Sequence, residues 1–329
     1  MERRFAAREQ LTGVVRAALG AERRLADVTR LRGGSKKGVY RLLLDDGFTA
    51  IAYVWDADEN YWPGLQTDDH ADPFSPASGL ELFEAAHRRL DGAGVRVPRV
   101  YLADRSRALY PADIAVVEDV PGGTLETLLQ RDPQAAAPVL ARLAEALEVM
   151  RGQVGRPGFG KVAWVDRGGV APGRSCEQLV FDRALVDLEE GAARDGRLAA
   201  ARDRLEGVVR ELAAGVRPRS AHVLVHGELG PDHVLVDSAG CPMLIDIEGL
   251  MYFDVEWEHA FLRLRFHEHY ESLRWDGLDE RRLSFYTLAM RLSLVAGPLR
   301  LIEGDFPGRE FMRGIAEHNL QQALTFIGE

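Results

Sequence analysis

The chain has 329 residues, 46% of them hydrophobic, enough for two domains or one two-lobed unit of ordinary globular composition. Its formal net charge of −10 argues against a general nucleic-acid binder and is compatible with a cationic partner. No run of about 18 apolar residues occurs, so no membrane partner is expected. The N-terminal Met1-Glu-Arg-Arg-Phe lacks the apolar core of a secretory signal, which points to a cytoplasmic protein.

Taken in order, the apolar spacing of Leu11, Val14, Val15, Ala18 and Leu19 predicts an amphipathic helix from about Arg8 to Ala26. From Leu31 to Trp55 the chain reads as strand, glycine-rich turn, strand, Asp45-Asp46-Gly47 hairpin and strand. The turn is Gly33-Gly34-Ser35-Lys36-Lys37. Glycines let backbone N–H groups close around a phosphate, and two lysines add charge. The same residues also suit a plain hairpin tip. Lysine occurs nowhere else except Lys161. Asp56 to Ser78 reads as a long loop, either shaping a mouth or lying on the surface. A helix follows from Leu80 to Asp91, carrying Glu81 and Glu84. Two strands come next, Val95 to Leu102 and Ile114 to Val120, and Pro121-Gly122-Gly123-Thr124 opens a helix.

Two helices are expected between Thr124 and Val154, and two more between Glu177 and Val216, joined near Asp195-Gly196. Between the pairs, Gly155 to Gly173 is a Gly/Pro-rich loop. Its Lys161 either reaches a phosphate or is a solvated loop lysine. Cys176 and Cys241 are too few for a disulfide framework, lack metal-ligand spacing and read as ordinary thiols. Residues 261 to 325 read as mostly helical.

Most of the chemistry is concentrated between Val223 and Ala260. Three short apolar runs, Val223 to Val225, Val234 to Val236 and Met243 to Ile247, read as strands with tight connections. They are expected to bring Glu228, Asp232, His233, Asp246 and Glu248 towards one end of a small sheet. Acids gathered beside apolar strands are costly unless they bind a cation or move protons. Asp246 with Glu248 offers hard oxygen ligands suited to Mg²⁺, and Glu228 is the candidate proton acceptor. His226 reads as a structural hydrogen-bonder and Asp232 as a turn cap. His233 is either a satisfied imidazole or a group that orients Glu228, contacts phosphate or replaces a metal-bound water.

The order His226-Gly227-Glu228, four residues, His233, then Ile245-Asp246-Ile247-Glu248 resembles the aminoglycoside phosphotransferase and choline kinase-like family. That family writes His-Gly-Asp-x4-Asn and then Ile-Asp-x-Glu, so Glu228 and His233 replace its catalytic-loop Asp and Asn. The resemblance implies an α+β, two-lobed protein kinase-like fold. Residues 1–120 would form a small antiparallel-sheet N-lobe and 121–329 a larger, mostly helical C-lobe. It makes Gly33, Gly34, Ser35, Lys36 and Lys37 the nucleotide lid, and Glu118 and Val120 the hinge where the adenine edge pairs. It also implies a lysine on the strand after the lid, paired with a helix glutamate. Ala50 to Trp55 has no lysine, so Lys36, Lys37 or Arg41 is left to substitute, and Glu84 fits the glutamate by position. Asp254 and Glu258 match the acids that brace the catalytic loop.

The implied function is a kinase moving the terminal phosphate of ATP or GTP, with Mg²⁺, onto a hydroxylated small molecule, an aminoglycoside-type resistance enzyme being one form. The altered loop leaves a second reading, a kinase-like protein that holds nucleotide or ligand without turnover. A metal-dependent hydrolase is a third, and it leaves the glycine-rich hairpin unexplained.

Overall fold

A computed structural model describes residues 3–32, 34–62, 71–155, 158–169 and 175–328. In chain order its elements are α1 (Arg8–Leu19), β1 (Leu25–Arg30), β2 (Gly38–Leu44), β3 (Thr49–Trp55), α2 (Leu80–Ala93), β4 (Val100–Asp104), β5 (Asp113–Glu118), α3 (Leu125–Arg131) and α4 (Pro133–Arg151). They continue with β6 (Gly160–Lys161), α5 (Val162–Val165), α6 (Cys176–Ala192), α7 (Gly196–Ala214), β7 (Val223–Val225), β8 (Val234–Val236), β9 (Pro242–Leu244), β10 (Met251–Phe253), α8 (Val255–Phe266), α9 (Glu280–Leu301) and α10 (Arg309–Leu324). No helix among the described residues is long and apolar enough to cross a membrane.

The chain divides into two compact units, and neither is a single stretch of sequence. One comprises Met1–Trp62, Pro76–Arg142 and Pro231–Gly249; the other comprises Pro63–Ser75, Leu143–Gly230 and Leu250–Glu329.

The first unit is built on an antiparallel five-stranded sheet in the order β1-β2-β3-β5-β4. Along β2, Tyr40, Leu42 and Leu44 are buried while Arg41 and Leu43 are exposed, the period-two alternation of a sheet with one covered face. Leu11, Val14 and Val15 of α1 sit at helical spacing and join those side chains, with Ala52, Val54, Ile114 and Val116, in one core. The helix is shorter than its apolar spacing suggests. Gly20, at φ 116°, ends it, and Leu25 and Ala26 begin β1 instead. Helix α2 ends where Gly94 adopts the left-handed conformation and returns its N–H to Leu90 and Asp91 carbonyls.

The β8-β9 hairpin belongs to this same unit. It is tied in by Val236 N–H to the Gly123 carbonyl (2.9 Å) and Leu244 N–H to the Arg96 carbonyl (2.9 Å). The approach at Pro121-Gly122-Gly123 is so close that a Cβ on Gly122 would lie 1.8 Å from the Val236 carbonyl oxygen. Glycine is required there by backbone contact, not by conformation.

The second unit is mostly helical. Val180, Ala184 and Leu188 of α6, Leu198, Leu205 and Val209 of α7, and Leu288, Leu292 and Val295 of α9 make its core, with Leu320 of α10. A three-stranded antiparallel sheet, β6-β10-β7, adds Phe253, whose ring meets Phe159, Trp257 and Tyr286. The three strands expected in one small sheet are therefore divided. β7 pairs with β10 in this unit, whereas β8 and β9 pair as a two-stranded ribbon in the first. Each run is only three residues long, so its partner is chosen by tertiary packing.

Candidate active site

The boundary between the units falls between Gly230 and Pro231, inside the loop that carries the sequence motif. On the first unit, the backbone after β9 turns sharply. Asp246 takes φ 58°, a left-handed conformation that aspartate tolerates better than most residues. Ile245 N–H bonds the His233 carbonyl at 3.0 Å and fixes the approach. A short 3₁₀ turn, Ile247–Gly249, then buries Glu248.

Lys37 joins the two acids. Its Nζ lies 2.8 Å from Asp246 Oδ1 and also bonds Glu248 Oε1. The ammonium sits 4.9 Å from the centre of the Tyr53 ring on β3, a cation–π contact that supports its stem. Burial alone would lower the Lys37 pKa; the carboxylates of Asp246 and Glu248 more than offset that and raise it. Lys37 in turn holds the Asp246 carboxyl well below the usual range, with His233 helping. His233 Nε2 is 3.6 Å from Asp246 Oδ2 and 3.7 Å from Asp232 Oδ2. It is thus a partly exposed imidazole among carboxylates, not a core histidine.

The donor set suits a hard divalent cation. Glu248 Oε2 is buried without a hydrogen-bond partner among the described residues, whereas the Asp246 side chain is 45% exposed. Two carboxylates already converge on one cationic nitrogen, and oxygen ligands of this kind match Mg²⁺. Asp246 and Glu248 are the residues that would hold it.

The lid residues divide. Gly33 lies outside the described residues. Gly34 is fitted against the Lys37 carbonyl, where a Cβ would come within 2.5 Å. Ser35 Oγ accepts from Trp62 Nε1 (3.0 Å), and its carbonyl accepts from Tyr61 N–H (2.9 Å). Lys36 lies over the Trp62 ring at 5.9 Å. Arg41, a candidate substitute for the absent strand lysine, is engaged by Asp119 at 2.7 and 3.1 Å. Lys37 is the cation that reaches β3. Glu84 does not meet it; Glu84 pairs with Arg105, because no lysine projects from β3 to draw it inward. Of the two expected hinge residues, Glu118 exchanges hydrogen bonds with the Arg99 backbone (2.8 and 3.2 Å), and Val120 is buried.

Glu228, His226 and Gly227 belong to the second unit. Glu228 is exposed at the turn after β7, and His226 is fully buried. Gly227 turns at φ 88° and its N–H donates to Glu258 Oε2 at 2.8 Å. Burial pushes Glu258 up to about 7, opposed by the His226 and Gly227 backbone hydrogen bonds. Asp254, at the mouth of α8, accepts from Arg282 and from Tyr286 Oη (2.6 Å). Lys161 is not a solvated loop lysine. It is buried and donates to Ser75 Oγ at 2.6 Å. Two site-supporting residues carried no readable signal: Tyr53, which lies in a plain strand pattern, and Glu59. Glu59 is buried, where it bonds Tyr40 and Arg30 and where a Cβ on Gly38 would strike its carboxyl.

A family model described as a phosphotransferase enzyme family matches residues 27–292. No curated protein sequence matches the chain. Among solved structures, a thermostable mutant of aminoglycoside phosphotransferase APH(4)-Ia, in ternary complex with AMP-PNP and hygromycin B, is 17% identical. The match covers 95% of this chain and 98% of that one, with a TM-score of 0.63. The choline kinase LicA from Streptococcus pneumoniae is 15% identical over 97% of each chain, TM-score 0.62. The GDP and kanamycin complex of APH(2")-IIia is 17% identical over 95% and 96%, TM-score 0.62. These likenesses establish the fold, an antiparallel-sheet lobe and a helical lobe of protein kinase-like type.

Proposed function

The chain belongs to the phosphotransferase enzyme family, and from that premise we propose that it moves the terminal phosphate of ATP or GTP onto a hydroxyl of a small molecule in the cytoplasm. The observation that carries this reading is the convergence of Asp246 and Glu248 on the Lys37 ammonium. Two converging carboxylates are what a nucleotide-bound metal requires, and the ammonium shows that they are placed to hold a cation. When bound there, Mg²⁺ supplies neutralisation of the phosphate charge.

The chain's own residues divide the remaining work. Lys37, on a flexible four-carbon stem, exchanges the carboxylates for the nucleotide phosphates and replaces the absent strand lysine. Ser35 and Gly34 shape the lid around those phosphates. The Glu118–Val120 backbone receives the base. Glu228 accepts the acceptor hydroxyl's proton, held in place by the Glu258 bond to the loop backbone. His233 orients the Asp246 carboxylate. A cationic acceptor fits the net charge of −10. Aminoglycosides and amino alcohols are the first classes to try, and resistance is the phenotype to test.

Incubation with Mg²⁺ and ATP or GTP, across a panel of aminoglycosides, amino alcohols and sugars, should yield nucleoside diphosphate and a product heavier by one phosphate. Glu228→Gln should reduce turnover by about 10²–10⁴-fold and leave nucleotide affinity unchanged. Nucleotide binding without phosphoryl transfer to any acceptor would instead support the second reading, a binding protein in which Lys37 permanently neutralises the acids.

A further inference from the structure

Away from the motif, three buried side chains from separate segments of the helical unit converge. They are Cys176, the first residue of α6, His222, just before β7, and Asp254, between β10 and α8. The Cys Sγ, a ring nitrogen of His222 and a carboxylate oxygen of Asp254 all lie within 4.8 Å of one another. Cys176 and Asp254 are each 1% exposed and His222 is 6% exposed. Two of these groups carry an atom with no hydrogen-bond partner among the described residues, His222 Nδ1 and Asp254 Oδ1. A buried polar atom left unpaired costs about 1–3 kcal/mol, and here two occur together beside a thiol.

The surroundings resemble a metal site's outer layer. The second oxygen of Asp254 accepts from Arg282 and from Tyr286 Oη at 2.6 Å, which fixes the carboxylate. The His222 ring also interacts with the Gly158 backbone, and Phe159 packs beside it at 5.0 Å. Ligating carboxylates and histidines are held in this way. The charges point the same way. Asp254, Glu256 and Glu177 lie within ion-pairing reach of Arg282, and Arg219 pairs Glu256. Three carboxylates against two guanidiniums leave one negative charge in the core. A divalent ion that displaces the Cys176 proton brings the cluster to neutrality.

We propose that Cys176, His222 and Asp254 bind one zinc ion that ties α6, β7 and α8 together. Thiolate, imidazole and carboxylate are the ligands zinc takes, and three of them leave a fourth position for water. A closed zinc tetrahedron spaces its ligand atoms roughly 3.3–3.8 Å apart, so small side-chain rotations close the present cluster. Binding transfers the thiol proton to solvent. Without metal, burial and the Asp254 charge push that thiol up and keep it protonated. The proposal does not rest on the transferase reading, although Asp254 also matches an acid that the family resemblance places in bracing the catalytic loop.

The test uses the full chain expressed in zinc-supplemented medium and exchanged into metal-free buffer. Elemental analysis should find about one zinc per chain. Cobalt-grown protein should show a near-ultraviolet thiolate-to-cobalt charge-transfer band. Cys176→Ser, which is nearly isosteric, should lose both the band and most of the metal, and Cys241→Ser should keep both. His222→Gln provides a second variant if Cys176→Ser folds poorly. Wild-type protein holding less than a tenth of an equivalent of zinc or cobalt, or a band that survives Cys176→Ser, would overturn the proposal. Neither readout depends on catalysis.

Discussion

In the sheet unit, Asp246 and Glu248 share the ammonium of one lysine. In the helical unit, Asp254, Glu256 and Glu177 gather around the guanidinium of Arg282, with Arg219 bidentate to Glu256 at 2.6 and 2.8 Å. Both clusters put carboxylates beside apolar structure, and both supply a cation. They differ in what holds that cation. Lys37 is a point charge on a rotatable stem, and one of its partners, Asp246, is 45% exposed. Arg282 is a planar fork, 1% exposed, fixed at its ends by Asp254, Tyr286 Oη and the Arg217 carbonyl. Under the proposed function the first pairing exchanges partners, and the second is fixed in place. Exchangeable charge belongs to a site, and fixed charge to its scaffold.

The largest separation between the two clusters should appear in catalysis. Asp246→Asn keeps the shape and removes the charge that would hold the metal. Turnover should fall at least about 10³-fold, while the urea midpoint moves little, because a half-exposed carboxylate contributes modestly to stability. Steady-state kinetics and urea melts on one preparation decide this. Near wild-type turnover removes Asp246 from the metal role.

The converse change belongs to the scaffold. Arg282→Met in chelator-treated protein leaves Asp254 buried beside Glu177 and Glu256 with its main cation gone. Breaking a buried pair in this way costs about 3–5 kcal/mol, and urea denaturation should show a loss of that order. A loss below about 1 kcal/mol would mean that the network tolerates removal and that the contrast with Lys37 is false.

A third, smaller effect comes from Glu258, which clamps the Gly227 backbone and titrates near 7. Its folded pKa lies above its ordinary value of 4.5, so the folded state binds the extra proton between those values. Stability from this group is therefore full below pH 4.5 and is lost as pH rises to about 7, by on the order of 3 kcal/mol. In Glu258→Gln the amide cannot ionise. Stability measured from pH 5 to 8 should fall less steeply in the variant than in the parent, and parallel curves would show that Glu258 does not titrate there.

The same contrast explains how much was legible in sequence. The sheet-then-helices order, the Asp45-Asp46-Gly47 hairpin and the helices joined at Asp195 follow from local periodicity and turn chemistry, whereas the first strand, expected from Leu31, begins at Leu25 inside the stretch expected to be helix. Asp246 and Glu248 are readable because they follow a strand at fixed spacing. Lys37 is readable only as one of two adjacent lysines; its choice over Lys36 and Arg41 depends on Asp119 engaging Arg41 and on Tyr53 lying under the stem. The assignment of the short strands failed for a related reason. Three-residue runs such as Val223 to Val225 fit any neighbour, and β7 took β10, more than twenty residues further on. Cys176, His222 and Asp254 are spread over 79 positions, so no spacing rule finds them.

The finest test of an exchangeable cation is to remove it. Lys37→Met retains a stem of similar length over Tyr53 and deletes the charge. Without nucleotide, the ammonium and a divalent ion compete for the same carboxylates, so the variant should bind Mg²⁺ roughly tenfold more tightly by titration calorimetry. With nucleotide, the lost contact to phosphate should raise the KM for ATP or GTP by a similar factor. The two shifts run in opposite directions, which separates exchange from simple support. If Lys37 only held the acids in position, Mg²⁺ and nucleotide binding would weaken together. If it only packed against Tyr53, neither would change. Tighter metal with weaker nucleotide is the result that a cation passing between the two partners requires.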